Sequence, residues 1–188
     1  MSPQPARTRT KGRFVFLDRD GTLVRDRGYV HRIEDYALLA GVVPALRSLL
    51  AAGFELAIVT NQAGIGRGLF DEAAYHAFEA HLEADLARQG VAIAASFFCP
   101  HHPDAGCACR KPAPGLFHAA EAALGADLGA SFGIGNEPRD AEAAIAAGCR
   151  GAVLIAHEPS LRLPERTHLA PDLAGAAALI RSWAPATR

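Results

Sequence analysis

The sequence predicts an α/β sandwich on a mainly parallel sheet. Short apolar runs rich in β-branched and aromatic residues alternate with segments whose apolar residues recur at helical spacing. The runs are apolar throughout, as expected for strands buried on both faces. At 188 residues, half of them hydrophobic, the chain suits one domain with a substantial core.

RFVFLD (13–18) stops at charge and reads as the first buried strand. In GVVPALRSLLAAG (41–53), Pro44 sits near the first turn, Val43, Leu46, Leu49 and Leu50 form a stripe, and Gly53 ends a helix. FELAIVTN (54–61) is the second strand. Asp71 is placed to cap a helix over 72–89, with Tyr75, Phe78, Leu82 and Leu86 on one face and Gly90 as terminator. A third strand falls within 91–99. Helix at 114–124, strand at 131–136, helix at 138–148, strand at 151–156 and a last helix near 173–183 complete the pattern. Residues 1–13 read as a flexible tail ahead of a single domain over 14–188.

Sites in open α/β sheets lie beyond the carboxyl ends of the strands. Those tips are Asp18, Thr60-Asn61, Cys99 and Asn136. The net charge of −1 argues against a broad nucleic-acid surface. The sequence has no apolar run of membrane-spanning length, and the basic N-terminal stretch lacks a signal peptide's apolar core. Four cysteines without such a leader point to thiols or metal ligands and a cytoplasmic setting.

FLDRDGTL (16–23) brings two carboxylates, Asp18 and Asp20, to the first strand tip. Crowded acids repel and invite a hard cation such as Mg²⁺. A calcium loop does not fit, because its required Gly and Glu fall at Leu23 and Tyr29. A merely solvated strand end is the plain alternative. In IVTNQAGIGRG (58–68) the hydroxyl of Thr60 and backbone N–H groups suit a phosphate, but the glycines equally suit a flexible loop. Their spacing is not that of a dinucleotide fingerprint.

CPHHPDAGCACRKP (99–112) supplies Cys99, His101, Cys107 and Cys109, a four-ligand set suited to tetrahedral, structural Zn²⁺. Buried or redox-active thiols are the alternatives, and His102 is positioned to replace His101. Cys149 reads as a small buried hydrophobe.

Taken together, FLDRDGTL, GYVH (28–31), VTNQAGIGRG, CPHHP, CxCRKP and GNxxxD resemble the haloacid dehalogenase-type phosphatases over residues 14 to about 156. GYVH and GIGRG favour the branch acting on heptose 1,7-bisphosphates over the histidinol-phosphatase branch. The resemblance implies a Rossmann-like three-layer sandwich without a large cap domain, and Mg²⁺-dependent hydrolysis of a small phosphorylated sugar at its 7-phosphate. It implies Asp18 as nucleophile, Asp20 as general acid and then base, and Thr60 and Lys111 as holders of the phosphoryl group. Arg110 would grip a second phosphate or sugar hydroxyls. Asp26, Arg27, Gly28, Tyr29, Asn61, Gln62 and Ala63 match its sugar-side contacts. Mg²⁺ would lie among Asp18, Asp20, Asn136 and Glu137.

The family commonly has Asp where this chain has Asn136. We expect Asn136 to ligate through its amide oxygen with weaker affinity, with Glu137 or Asp140 adding charge. A monomeric enzyme without nucleic-acid or membrane partners is the expected form. A histidinol-phosphate or other small phosphomonoester phosphatase, and a zinc-stapled binding protein with impaired catalysis, are the competing readings.

Overall fold

The computed structural model describes residues 12–155 and 163–183. Six strands, β1 (Phe14–Leu17), β2 (Glu55–Asn61), β3 (Ala95–Cys99), β4 (Phe132–Gly135), β5 (Gly151–Ile155) and β6 (Thr167–Ala170), form one sheet. Their order is β3-β2-β1-β4-β5-β6, and every pairing is parallel. The helices are α1 (Val42–Ala51), α2 (Ala63–Gly66), α3 (Glu72–Arg88), α4 (Gly115–Leu124), α5 (Pro138–Ala146) and α6 (Leu173–Trp183).

The two-residue period of β1 divides the core in two. Val15 and Leu17 point into one layer with Leu46 and Leu49 of α1, Phe78, Leu82 and Leu86 of α3, and Ile180 of α6. Phe14 and Phe16 point into the other, against Leu116 and Phe117 of α4 and Ala143 and Ala144 of α5. Each such fully buried Phe or Leu contributes roughly 1.5–3 kcal/mol. The expected three-layer sandwich is therefore present, with β1 at its centre. Cys149 is fully buried in the second layer, as expected.

Local signals explain the main helices. Asp71 Oδ1 accepts a hydrogen bond from Ala74 N at 2.8 Å and caps α3. The predicted α3 face, Tyr75, Phe78, Leu82 and Leu86, is buried throughout. Gly53 takes φ +81° and turns the chain from α1 into β2. On β4, a Cβ at Gly133 would come within 2.6 Å of the Ala144 Cβ, so this glycine lets α5 sit directly on the sheet.

The structure adds two elements that the sequence pattern misses. β6 is a four-residue edge strand carrying Thr167 and His168, too short and polar to register as an apolar run. The start of the glycine segment is helical, forming α2. The third strand is confined to 95–99. Between β1 and α1 there is only one 3₁₀ turn, Ile33–Asp35, and isolated bridges, with no inserted domain. Of the expected tail, residues 1–11 lie outside the described residues. Gly12 is hydrogen-bonded to Gly125 and Asp127, and the Arg13 guanidinium donates to Ala52 O. Residue 156, the end of the fifth predicted strand, also lies outside the described residues.

From β1 the chain order runs outward to β2 and β3 on one side and to β4 on the other. The reversal leaves a crevice above the carboxyl ends of β1 and β4. Asp18 and Asn136 directly follow those two strands.

Candidate active site

Lys111 is buried at the crevice floor, 2% exposed. Its Nζ lies 2.7 Å from Asp18 Oδ1, Val59 O and Asp140 Oδ1, so all three ammonium donors are used. Burial opposes the lysine charge, but Asp18 and Asp140 outweigh it and raise its pKa. Burial pushes the Asp18 carboxyl up; Lys111 holds it down, while Asp140 and Asp20 add to the rise. The lysine backbone is fixed from β2: Asn61 Oδ1 accepts from Lys111 N and Asn61 Nδ2 donates to Lys111 O, both at 3.0 Å. Asp140 Oδ2 accepts from Glu137 N at 2.9 Å at the start of α5.

Asp20 is held by a residue that sequence reasoning passed over. Arg19 is fully buried, and its Nε and Nη2 lie 3.0–3.2 Å from both carboxylate oxygens of Asp20. Arg19 also donates to Glu79 Oε2 of α3, Val30 O and Gln62 Oε1. Gln62 Nε2 donates to Asp20 Oδ2 at 2.8 Å and to Thr60 Oγ1 at 2.9 Å. The Asn136 amide packs on Gly21, with its Oδ1 3.5 Å from Thr22 Oγ1.

These groups open into a cleft of about 310 Å³. Asp18, Asp20, Asp26, Gly28, Tyr29 and Thr60 line it, as do Asn61, Gln62, Ala63, Arg110, Lys111, Asn136 and Glu137. Of the sequence-predicted residues outside the cysteine cluster, only Arg27 is not among the lining. Arg67, Arg139 and Pro103 line it too, though the sequence reading gave none of them a role. Arg110 Nη1 is buried without a hydrogen-bond partner. Asp26 Oδ1 accepts from Gly28 N, and His31 Nδ1 donates to Tyr29 O, both at 2.7 Å. Tyr29 is thereby held at φ 54°, with its side chain exposed at the cleft.

Beside the cleft, one ligand atom from each of Cys99, His101, Cys107 and Cys109 lies within 4.8 Å of the others. The Sγ atom of Cys107 lies 3.5 Å from those of Cys99 and Cys109. His101 Nδ1 lies 3.5 Å from Cys99 Sγ and 3.2 Å from Cys109 Sγ. A tetrahedron with Zn–S of about 2.3 Å and Zn–N of about 2.0–2.1 Å has edges of comparable length, so the donor set fits the ion. His102 is turned away, accepting from Asp104 N at 3.3 Å. A side chain on Gly66 would strike the His101–His102 backbone, and one on Gly64 would strike Phe70.

A carboxylate-bearing strand tip, a buried lysine against it and a topological switch point agree with the comparisons. The family described as polynucleotide kinase 3 phosphatase matches residues 13–134, and the HAD-hydrolase-like family matches residues 108–176. The chain is 42% identical over 148 residues to D-glycero-beta-D-manno-heptose-1,7-bisphosphate 7-phosphatase of Yersinia pestis, covering 75% of this chain and 79% of that protein. It is 40% identical to the protein of that name from Escherichia coli strain K12, covering 75% and 78%. The crystal structure of D,D-heptose 1,7-bisphosphate phosphatase from B. bronchiseptica, complexed with magnesium and phosphate, superposes with a TM-score of 0.83. That match has 35% identity and covers 92% of this chain and 99% of the other. The phosphatase from Burkholderia thailandensis gives a TM-score of 0.68 at 29% identity, covering 90% and 99%. With sheet order, strand-tip acids and relatives in agreement, the chain belongs to the haloacid dehalogenase-type phosphatases.

Proposed function

We propose that this enzyme removes the 7-phosphate of D-glycero-D-manno-heptose 1,7-bisphosphate through an aspartyl-phosphate. The observation that carries the reading is the 2.7 Å contact of Lys111 Nζ with Asp18 Oδ1. It occupies one oxygen and leaves Oδ2 for attack on phosphorus. As that bond forms, the bond from phosphorus to the C7 oxygen breaks, and Asp20 gives that oxygen a proton. A water then attacks the aspartyl-phosphate, Asp20 takes its proton, and phosphate leaves with Asp18 restored. Thr60 Oγ1 accepts from Gln62, so its own proton is available to a phosphoryl oxygen. The buried, unpartnered Nη1 of Arg110 is suited to a second anionic group, which supports a bisphosphate over a monoester. Tyr29, Asp26, Gly28 and Ala63 also line the cleft and are the groups left for the sugar. The small net negative charge supports a small-molecule substrate rather than a nucleic acid, and the enzyme acts as a cytoplasmic monomer.

The donor set fits Mg²⁺. Asp18, Asp20 and Asn136 offer only oxygen-type ligands, and the acids crowding Asp18 exceed the single lysine charge between them. The Asp20 carboxylate is committed to Arg19 and Gln62, so its main-chain carbonyl is the group left for the ion. Asn136 would contribute its amide oxygen, while Glu137, exposed at the rim, would add charge. When bound, the ion neutralises charge on the nucleophile and the phosphoryl group. The cysteine cluster would hold structural zinc, which would fix Arg110 and Lys111 directly after its last ligand.

Three outcomes test this account. Phosphate release from both anomers of the heptose bisphosphate should exceed that from histidinol phosphate and simple sugar phosphates; equal rates on all of them contradict the substrate assignment. Asn136→Asp should lower the Mg²⁺ concentration for half-maximal rate several-fold, and an unchanged requirement defeats the ligand role of Asn136. Metal analysis should find zinc near one per chain, with its chelation lowering Tm; a metal-free protein that stays folded and active refutes the staple.

A further inference from the structure

We infer that Arg19 is a positioning residue for the leaving-group step, setting the pose of Asp20 and tying it to the substrate-side loop. The inference rests on the reading of Asp20 as proton donor. Arg19 lies between two acids in a strand-tip turn, a place where an arginine is ordinarily solvated. Here it is fully buried. Its guanidinium is packed over the rings of Phe78 and Tyr75, at 4.7 and 5.6 Å from their centroids. Burial lowers its pKa, but Asp20 and Glu79 outweigh that and hold the charge.

The partners of this cation define its task. Nε and Nη2 span both oxygens of Asp20, which fixes the carboxylate plane as well as its distance. Nη1 reaches Glu79 Oε2 at 3.3 Å, and Ser96 Oγ in turn donates to Glu79 Oε1 at 2.7 Å, anchoring the fork to α3 and β3. Nη2 also donates to Val30 O at 2.8 Å, within the loop whose neighbouring residue, Tyr29, lines the cleft. One planar group thus links the acid to the loop that receives the sugar. Oδ2 accepts from both Gln62 and Arg19 and Oδ1 from Arg19 alone, so Oδ1 is the less engaged oxygen and the one to give its proton to the departing sugar oxygen while Arg19 steadies the carboxylate. A lysine ammonium has the charge without the fork and spans neither both oxygens nor all of these partners.

The consequence is a dependence on the leaving group. A sugar alkoxide needs a proton as it departs, whereas p-nitrophenolate departs without one. Asp20 also serves the later hydrolysis with either substrate, so the comparison is made on kcat/KM, which reports the steps up to leaving-group departure. Arg19→Lys should lower it about 100-fold on heptose 1,7-bisphosphate and only a few-fold on p-nitrophenyl phosphate. Glu79→Gln, which keeps Arg19 and its contact with Asp20 but removes the anchoring charge, should show the same selective loss at smaller size. It provides the readout where Arg19→Lys does not fold. Equal losses on both substrates, or no loss on either, overturn the positioning role. Wild-type turnover of the two substrates is the separate control: failure there rejects the phosphatase reading, and success with unselective variants rejects only the role of Arg19.

Discussion

The buried ammonium of Lys111 is the constraint on which the site depends. A charge removed from water is costly unless it is fully paired. This one is satisfied by three oxygens from three parts of the fold: Asp18 after β1, Val59 within β2 and Asp140 within α5. Each contact therefore orients the group that makes it. Asp18 has one oxygen engaged and one left over, and Asp140 completes the set from the helix that the small side of β4 admits. The same contacts explain why the strands must be in register at their carboxyl ends. A slip of one residue would exchange the two core faces and carry the charged tip out of reach.

Lys111 also depends on the chain that delivers it. Its backbone is bracketed by the Asn61 side chain, and two residues before it lies Cys109, the last member of the cysteine–histidine cluster. The cluster packs its His101–His102 backbone on Gly66, at the end of the short helix that follows β2. The two halves of the crevice, the β2 tip and the cysteine loop, are thus joined by close backbone contact and by the asparagine bracket. The loop positions the two cations that follow it, Arg110 and Lys111, both of which line the cleft. Asn61 and Gln62, which resemblance alone places against the sugar, have side chains engaged in holding Lys111, Asp20 and Thr60.

Much of this was legible in the chain because the signals are local. The apolar runs ending in Asp18, Asn61, Cys99 and Asn136 predict strand tips, and the Asp71 cap with its apolar face predicts α3. The cysteine spacing predicts the cluster, while the choice of His101 required the structure, which turns His102 toward Asp104. Arg19 was not legible, since its burial depends on Glu79, sixty positions away and set within an apolar helix face. A carboxylate interrupting that face was the signal that could have found it. The small size of Gly64 and Gly66 serves close packing against Phe70 and the cysteine loop, which no spacing rule reports. β6 escaped notice because an edge strand needs little apolar sequence.

The central claim is that Asp18, activated within this charge network, becomes covalently phosphorylated. Rapid-quench turnover with substrate labelled at the 7-phosphate, followed by peptide mapping, tests it most directly. The account predicts transient label on the peptide carrying Asp18, and neither label nor turnover in Asp18→Asn. Sustained phosphate release by Asp18→Asn, or turnover in the wild-type enzyme with label on a different residue, would contradict it.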